Sequence, residues 1–378
     1  MLKNIKDFHV KGKRILVRCD FNVPLDEKGN IIDDYRIKKG LPTIEYLIKN
    51  EAKIILMSHL SPTNFRLETK EENIQSASLK LVGDKHPENQ GFVSPNFTLD
   101  GVAKKLSEYL SRTVKKTDDC IGEDVLQKVS TLEEGEILLL ENLRLHRGEM
   151  DNSYEFAKKL SELGDIYIND AFSVCHRVHA SIVGLPKILP SGIGLLLQKE
   201  IESLDKILKN PTRPMLALVG GIKAETKVNF IGKILKVADY VILSGPIRKE
   251  MMEKKLKFRK SKKIISPVDN LEALDVDEKT IKIFRQKILS AKTILWNGPF
   301  GKFEDENYKH GTMEIAKAII KSGAFSVVGG GETIEFLDRE NLIADFGHIS
   351  TGGGAMLAYL SGEKLPGLEA LENYANHS

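Results

Sequence analysis

Cysteine is scarce in this 378-residue chain. Three residues, Cys19, Cys120 and Cys175, are too few for a disulfide framework, and they fit a reducing, cytoplasmic setting. Long apolar runs are missing too. No stretch approaches the ~20 residues of a membrane span. The opening Met1-Leu2-Lys3-Asn4 lacks the apolar core of a signal peptide. Charge of one sign is absent: 56 basic and 53 acidic residues leave +3, which argues against nucleic acid as a partner. No Gly-x-x-x-x-Gly-Lys-Ser/Thr loop and no Gly-x-Gly-x-x-Gly turn occurs, so the chain is neither a P-loop enzyme nor a standard dinucleotide binder. No Gly-x-Ser-x-Gly elbow surrounds Ser173 or any other serine. Internal repeats and low-complexity tracts are absent.

What remains is an ordinary globular composition, 41% hydrophobic and 29% charged, long enough for two or three domains. Apolar runs of strand length recur with helical patterns between them. They are Ile15–Val17, Ile54–Met57, Ile137–Leu140 and Ile166–Ile168, then Met215–Val219, Tyr240–Leu243, Ile264–Ile265, Thr293–Trp296 and Phe325–Val328. Continuous apolar runs of this kind imply parallel strands buried on both faces. The expected fold class is α/β, with two doubly wound parallel sheets. Between the halves, Ile201, Leu204, Ile207 and Leu208 form a stripe at helical spacing, closed by Asn210-Pro211. That helix, about 198–210, reads either as a connector between domains or as an ordinary crossover. Ser61 to Gln90 is polar and reads as a long surface excursion.

Two triple-glycine turns follow strand patterns in the second half: Gly329-Gly330-Gly331-Glu332-Thr333 and Gly352-Gly353-Gly354. Bare backbone N–H groups at a helix start favour an anion, and Glu332 beside them is a candidate ligand for a hard cation. Gly220-Gly221-Ile222-Lys223 follows another strand, with Lys227 one helical turn further on. Two lysines there oppose the helix dipole unless an anion is present. Trp296-Asn297-Gly298-Pro299 forms a rigid polar turn, with Glu304 just after. In the first half, Asp20, Asn22, Arg36, His59, Arg144, Arg177 and His179 stand at or near strand ends. Ligands of open α/β sheets bind there, and guanidinium forks suit carboxylate and phosphate. Cys175, His176 and His179 lack the spacing of a structural zinc site.

Taken together, Arg18-Cys19-Asp20-Phe21-Asn22-Val23-Pro24, Ser58-His59-Leu60, Glu141-Asn142-Leu143-Arg144, Asn169-Asp170-Ala171-Phe172 with His176-Arg177-Val178-His179, Trp296-Asn297-Gly298-Pro299 and the two glycine runs resemble the phosphoglycerate kinases, in that family's order. The resemblance implies two Rossmann-like domains and a cleft. Residues 1–190, joined by the tail 366–378, would bind 3-phosphoglycerate through Asp20, Asn22, Arg36, His59, Arg144 and Arg177. Residues 191–365 would bind ATP or ADP with Mg²⁺. The implied contacts there are Gly220, Gly221, Lys223, Lys227, Asn297, Pro299, Glu304, Gly329, Gly330, Gly331, Glu332 and Thr333. Arg36 and Lys223 would flank the transferring phosphoryl group, Gly352 to Gly354 would face it, and Glu332 would hold the metal. The implied enzyme is monomeric, with no membrane or nucleic-acid partner.

Several positions depart from the family pattern. Ser61-Pro62-Thr63 lacks the family's arginine, for which Arg66 is the nearest replacement. Thr226 and Glu332 stand at family aspartates, Ser244 at a glycine cluster, and Asp275-Val276-Asp277 at an Asp-Ile-Gly turn. The departures frame an alternative, a family-derived anion- and nucleotide-binding protein without turnover.

Overall fold

The computed structural model describes residues 2–26, 28–61, 97–222, 224–256, 258, 261–268 and 270–377. The Ser61–Gln90 excursion beyond Ser61, including Pro62, Thr63 and Arg66, lies outside them, as does Lys223. The chain divides into two compact units, Met1–Leu197 with Pro366–Ser378, and Gln198–Leu365.

The first unit is built on strands β1 (Arg14–Arg18), β2 (Lys53–Met57), β3 (Val114–Lys116), β4 (Ile137–Leu139), β5 (Ile166–Asn169) and β6 (Ser191–Ile193). They form one parallel sheet in the order β3-β4-β2-β1-β5-β6. Its helices are α1 (Tyr35–Lys49), α2 (Asp100–Leu110), α3 (Glu123–Ser130), α4 (Arg147–Met150), α5 (Tyr154–Ser161), the first turn of α6 (Leu195–Leu208) and, after the whole second unit, the last helix of the chain, Pro366–His377. Parallel strands need crossovers, and helices on both faces explain why β5 is buried throughout and β1 and β2 are buried apart from their first residues. Ile15, Val17, Ile54, Leu56, Ile137 and Ile168 pack into one core with Ile37, Ile44 and Leu47 of α1 and Val102 and Leu106 of α2. The terminal helix belongs to this unit. Gly367 N donates to Cys175 O at 2.9 Å, and the Lys3 ammonium lies 5.3 Å from the Tyr374 ring centre.

The second unit repeats the plan with β7 (Met215–Val219), β8 (Tyr240–Leu243), β9 (Ile264–Ile265), β10 (Thr293–Asn297), β11 (Phe325–Gly329) and β12 (His348–Ile349), ordered β12-β11-β10-β7-β8-β9, all parallel. Its helices are α7 (Val228–Val237), α8 (Gly245–Glu253), α9 (Glu278–Ser290), α10 (His310–Ser322), α11 (Gly331–Arg339) and α12 (Gly354–Ser361); the terminal helix of the chain is α13. All nine apolar runs of the sequence are strands. The three strands without such a run, β3, β6 and β12, are edge strands of two or three residues. In each sheet the order reverses beside the first strand, between β1 and β5 and between β7 and β10. These two reversal points are where open α/β sheets receive ligands.

At the first reversal point sits a buried carboxyl with an unusual environment. Asp170 Oδ1 accepts from Leu197 N at 3.0 Å, while its buried Oδ2 has no hydrogen-bond partner. Burial pushes the carboxyl up to about 6. A carboxyl whose folded pKa is raised favours the folded state when protonated, so its contribution falls as pH rises from ~4 to ~6. Two pKa units correspond to about 3 kcal/mol. The stability of the parent minus that of Asp170→Asn, from urea unfolding, should therefore drop by roughly that amount across the window. A flat difference would show that Asp170 is ionised throughout.

Candidate functional site

At the carboxyl ends of β1, β2 and β4 the first unit gathers the basic residues singled out from the sequence. Arg18, the last residue of β1, is fully buried; its Nε donates to Ser181 Oγ at 2.9 Å and its Nη2 lies 3.3 Å from His59 Nδ1. Asp20, two residues past the strand, receives hydrogen bonds from Arg36, Ser173 Oγ and, at 3.1 Å, Asn22 N. Arg36 enters from the first turn of α1. Asn22 Oδ1 accepts from Ser61 N at 2.8 Å, and Arg144 donates to Ser61 Oγ. Buried Asn142 fixes this corner: its amide bonds Leu60 O and Phe97 O, and its Oδ1 accepts from Leu60 N and Arg144 N. Arg177 is exposed, on the turn after β5 that also carries His176 and His179.

The electrostatics show how concentrated the positive charge is. Burial, then Arg18, holds His59 well below the usual histidine range, with Arg144 and Arg36 adding to the effect. His179 is lowered to about 4 by burial, Arg144, Arg18, Arg177 and His176. Arg144 is itself lowered by burial and by Arg18 and Arg177. Burial opposes ionisation of Asp20, yet Arg36, His59 and the Ser173 bond outweigh it and keep the carboxyl below its ordinary value. Four guanidiniums, from Arg18, Arg36, Arg144 and Arg177, thus share one field with two carboxylates, Asp20 and Glu149. Glu149 is fully buried under the cluster, taking Ser181 N at 2.8 Å and Ser181 Oγ at 2.6 Å, and burial raises its pKa. Three of the four buried side-chain polar atoms without a hydrogen-bond partner among the described residues are Arg144 Nε, His176 Nδ1 and His179 Nδ1. A field this positive, with Arg144 Nε unpartnered and His179 Nδ1 3.8 Å from Glu149 Oε1, suits an anion with several acceptor oxygens.

In the second unit the turns after β7, β8, β10 and β11 are knitted together by main chain. Gly220 N donates to Asn297 O and Gly221 N to Pro299 O, both at 2.8 Å. Gly298 N donates to Thr333 Oγ1 at 2.9 Å, and Ser244 Oγ to Gly221 O at 2.9 Å. A Cβ on Gly220 would stand 2.2 Å from the Pro299 carbonyl oxygen, so this glycine exists for close backbone approach. Gly329 likewise meets Met356, at 2.4 Å. Gly330 has φ +100° and turns the chain into α11, whose N-terminus carries no side-chain cap. Gly331 beyond it faces open space, as does Gly353, which opens α12. The anion-ready backbone is therefore Gly331 and the Gly353 turn, whereas Gly220 and Gly329 have packing reasons of their own.

Lys227 is half-buried and reaches back to donate from Nζ to Gly220 O at 2.6 Å. Burial lowers its pKa, and Glu332 opposes that, which places the Glu332 carboxylate in its field. Glu332 itself is exposed on the first turn of α11, and Glu304 is exposed after β10. Asp277, at a position where the family has glycine, caps α9 by accepting from Thr280 N at 2.8 Å.

One residue of this unit escaped the sequence reading. Glu200 on α6 is fully buried and accepts from Thr351 N at 2.6 Å and Thr351 Oγ1 at 2.8 Å, with its other oxygen 2.9 Å from His348 Nε2. It anchors the turn that leads into Gly352–Gly354. Its signal was present: Glu200 shares the helical spacing of Leu197, Leu204 and Ile207, all buried. In the first unit Glu149 was missed as well, and Arg18 and Ser173 were named without their partners, which only folding reveals. The three cysteines are buried, and no disulfide joins them. Cys175, His176 and His179 do not form a metal cluster; among the described residues the one such group is Asp119, Cys120 and His146.

Two parallel α/β units, each with anion-directed groups where its strand order reverses, define a two-domain α/β protein for small phosphorylated or carboxylated ligands. The family model for phosphoglycerate kinase matches residues 5–262 and 247–363. The phosphoglycerate kinase of Borrelia hermsii is 38% identical over 98% of this chain and 99% of its own, and that of Aquifex aeolicus is 36% identical over 98% of each. Among solved structures, the phosphoglycerate kinases of Coxiella burnetii and Pyrococcus horikoshii superpose with TM-scores of 0.80 and 0.81. Both are 30% identical and cover 99% and 100% of this chain and of their own. The chain belongs to the phosphoglycerate kinase family.

Proposed function

We propose that the protein is an ATP:3-phosphoglycerate 1-phosphotransferase, moving a phosphoryl group reversibly between 1,3-bisphosphoglycerate and ADP in glycolysis and gluconeogenesis. The observation that carries this reading is the set of orphaned groups, Arg144 Nε, His176 Nδ1 and His179 Nδ1, inside a four-arginine field. A ligand with a phosphate and a carboxylate matches that demand. In this reading residues 1–190, with 366–378, hold 3-phosphoglycerate through Asp20, Asn22, Arg36, His59, Arg144 and Arg177. Residues 191–365 hold the nucleotide at the β7, β10 and β11 turns. Arg36 and Lys223 balance charge on the transferring group, and the Gly352–Gly354 turn receives its oxygens at the start of α12. Phosphoryl transfer asks the protein mainly for positioning and positive charge, and both are in this residue set.

The residues present also fit a nucleotide-borne Mg²⁺. Glu332 offers an exposed carboxylate beside the open Gly331 backbone, and oxygen donors suit this ion. Glu332 would hold it, and the ion would neutralise phosphate charge. The protein is read as cytoplasmic and monomeric; among the described residues no helix is long and apolar enough to cross a membrane. A coupled assay with 3-phosphoglycerate and MgATP tests the reading directly. Binding of both ligands without turnover would overturn it in favour of the non-catalytic alternative.

Two further results are expected. With ligands on separate units, transfer requires the units to close. Small-angle scattering should show a smaller radius of gyration when both ligands are bound; an unchanged radius would count against closure. The second result concerns protons. An anion relieves the arginine repulsion that depresses His59 and His179. Their pKa values should rise on binding, so 3-phosphoglycerate should take up protons below pH ~6.5. Calorimetry in buffers of different ionisation enthalpy reads this directly, and His179→Asn should reduce the uptake. Buffer-independent enthalpy would place both rings outside the site.

A further inference from the structure

Outside the reaction machinery, the loop after β3 meets the residue that precedes α4. Asp119 Oδ1 lies 2.6 Å from His146 Nε2, and one donor atom from each of Asp119, Cys120 and His146 lies within 4.8 Å of the other two. Donors at ~2.0–2.3 Å from one tetrahedral zinc ion stand about 3.3–3.8 Å apart. Closing around one ion therefore needs shifts of up to about an ångström, with the Asp119–His146 contact opening to admit the metal. Its parts are held in place. Thr117 Oγ1 donates to Asp119 O at 2.5 Å, Cys120 N donates to Asp119 Oδ1 at 2.6 Å, and the His146 ring stacks on Phe156 with centroids 5.2 Å apart.

The charges suit a divalent cation as well. Thiolate and carboxylate together balance it, and the imidazole binds neutral. The Asp119 side chain is 49% exposed, so an ion has a path from solvent and water can complete its shell. An Asp–His pair alone needs no sulfur beside it, and a core cysteine alone needs no carboxylate and imidazole within ligand distance.

We propose that Asp119, Cys120 and His146 form a site for one zinc-like divalent cation, tying the β3–α3 loop to the start of α4. Binding forms the metal–sulfur bond and releases the thiol proton to solvent. Thiolate and imidazole donors select against Mg²⁺, so the site is independent of the nucleotide's ion.

Titration of metal-free protein with Co²⁺ is the test. One equivalent should produce a sulfur-to-cobalt charge-transfer band with tetrahedral ligand-field bands, and Zn²⁺ should abolish both. Cys120→Ser should lose the charge-transfer band. His146→Asn and Asp119→Asn should each weaken affinity by roughly tenfold or more. A band that survives in Cys120→Ser, or no band at stoichiometric Co²⁺, overturns the proposal. If Cys120→Ser does not fold, unchanged affinity in Asp119→Asn, at a half-exposed position, overturns it equally.

Discussion

Arg36→Ala is expected to lower kcat by ~10²–10³, the usual cost of one lost electrostatic contact to a developing charge. Arg36 stands on the first turn of α1 with its side chain 34% exposed, held by buried Asp20, which Ser173 and Asn22 N also brace. The substitution removes the guanidinium proposed to flank the transferring group while leaving the α1 core residues Ile37, Ile44 and Leu47 in place. Arg36→Lys keeps the charge but loses the planar fork, so it should recover only part of the rate. Steady-state kinetics with circular dichroism as the folding control decides the matter. A change in kcat of threefold or less (about 0.7 kcal/mol) would remove Arg36 from the reaction.

The second large effect falls on stability. Glu200→Ala strips the acceptor from Thr351 N, Thr351 Oγ1 and His348 Nε2, all in a buried setting. Each orphaned buried donor costs ~1–3 kcal/mol, and breaking such a cluster typically costs 3–5 kcal/mol. Urea unfolding should show a loss of that size. The turn before Gly352 should loosen with it, so kcat should fall at temperatures where the variant remains folded. Glu200→Gln retains one acceptor oxygen and should lie between. A loss under ~1 kcal/mol would mean that water replaces the carboxylate.

Eight strands were legible because a parallel strand covered on both faces is apolar along its length, and the edge strand β9 because both of its residues are isoleucine. Val114-Lys115-Lys116 and Ser191-Gly192-Ile193 were not legible, because an edge strand pairs on one side only and need not carry such a run. The arginines of the basic cluster could be named, since strand ends and the resemblance point to the same positions. The roles of Arg18, Glu149 and Glu200 could not be read, even where spacing marked Glu200 as inward-facing, because a buried charge is explained only by its partner, which lies far along the chain. Glycine was ambiguous for a related reason. The same residue type serves open backbone at Gly331 and tight backbone contact at Gly220, and only the neighbouring Pro299 carbonyl separates the two.

The placement of α13 bears on how the molecule is made. A ribosome releases residues from the N-terminus onward. The second unit is one uninterrupted segment, Gln198–Leu365, and is complete in the emerging chain before the first unit is. The first unit waits for Pro366–His377, which meets Cys175 and Ile182. The unit whose six strands are synthesised first is therefore completed only after the second unit has been made.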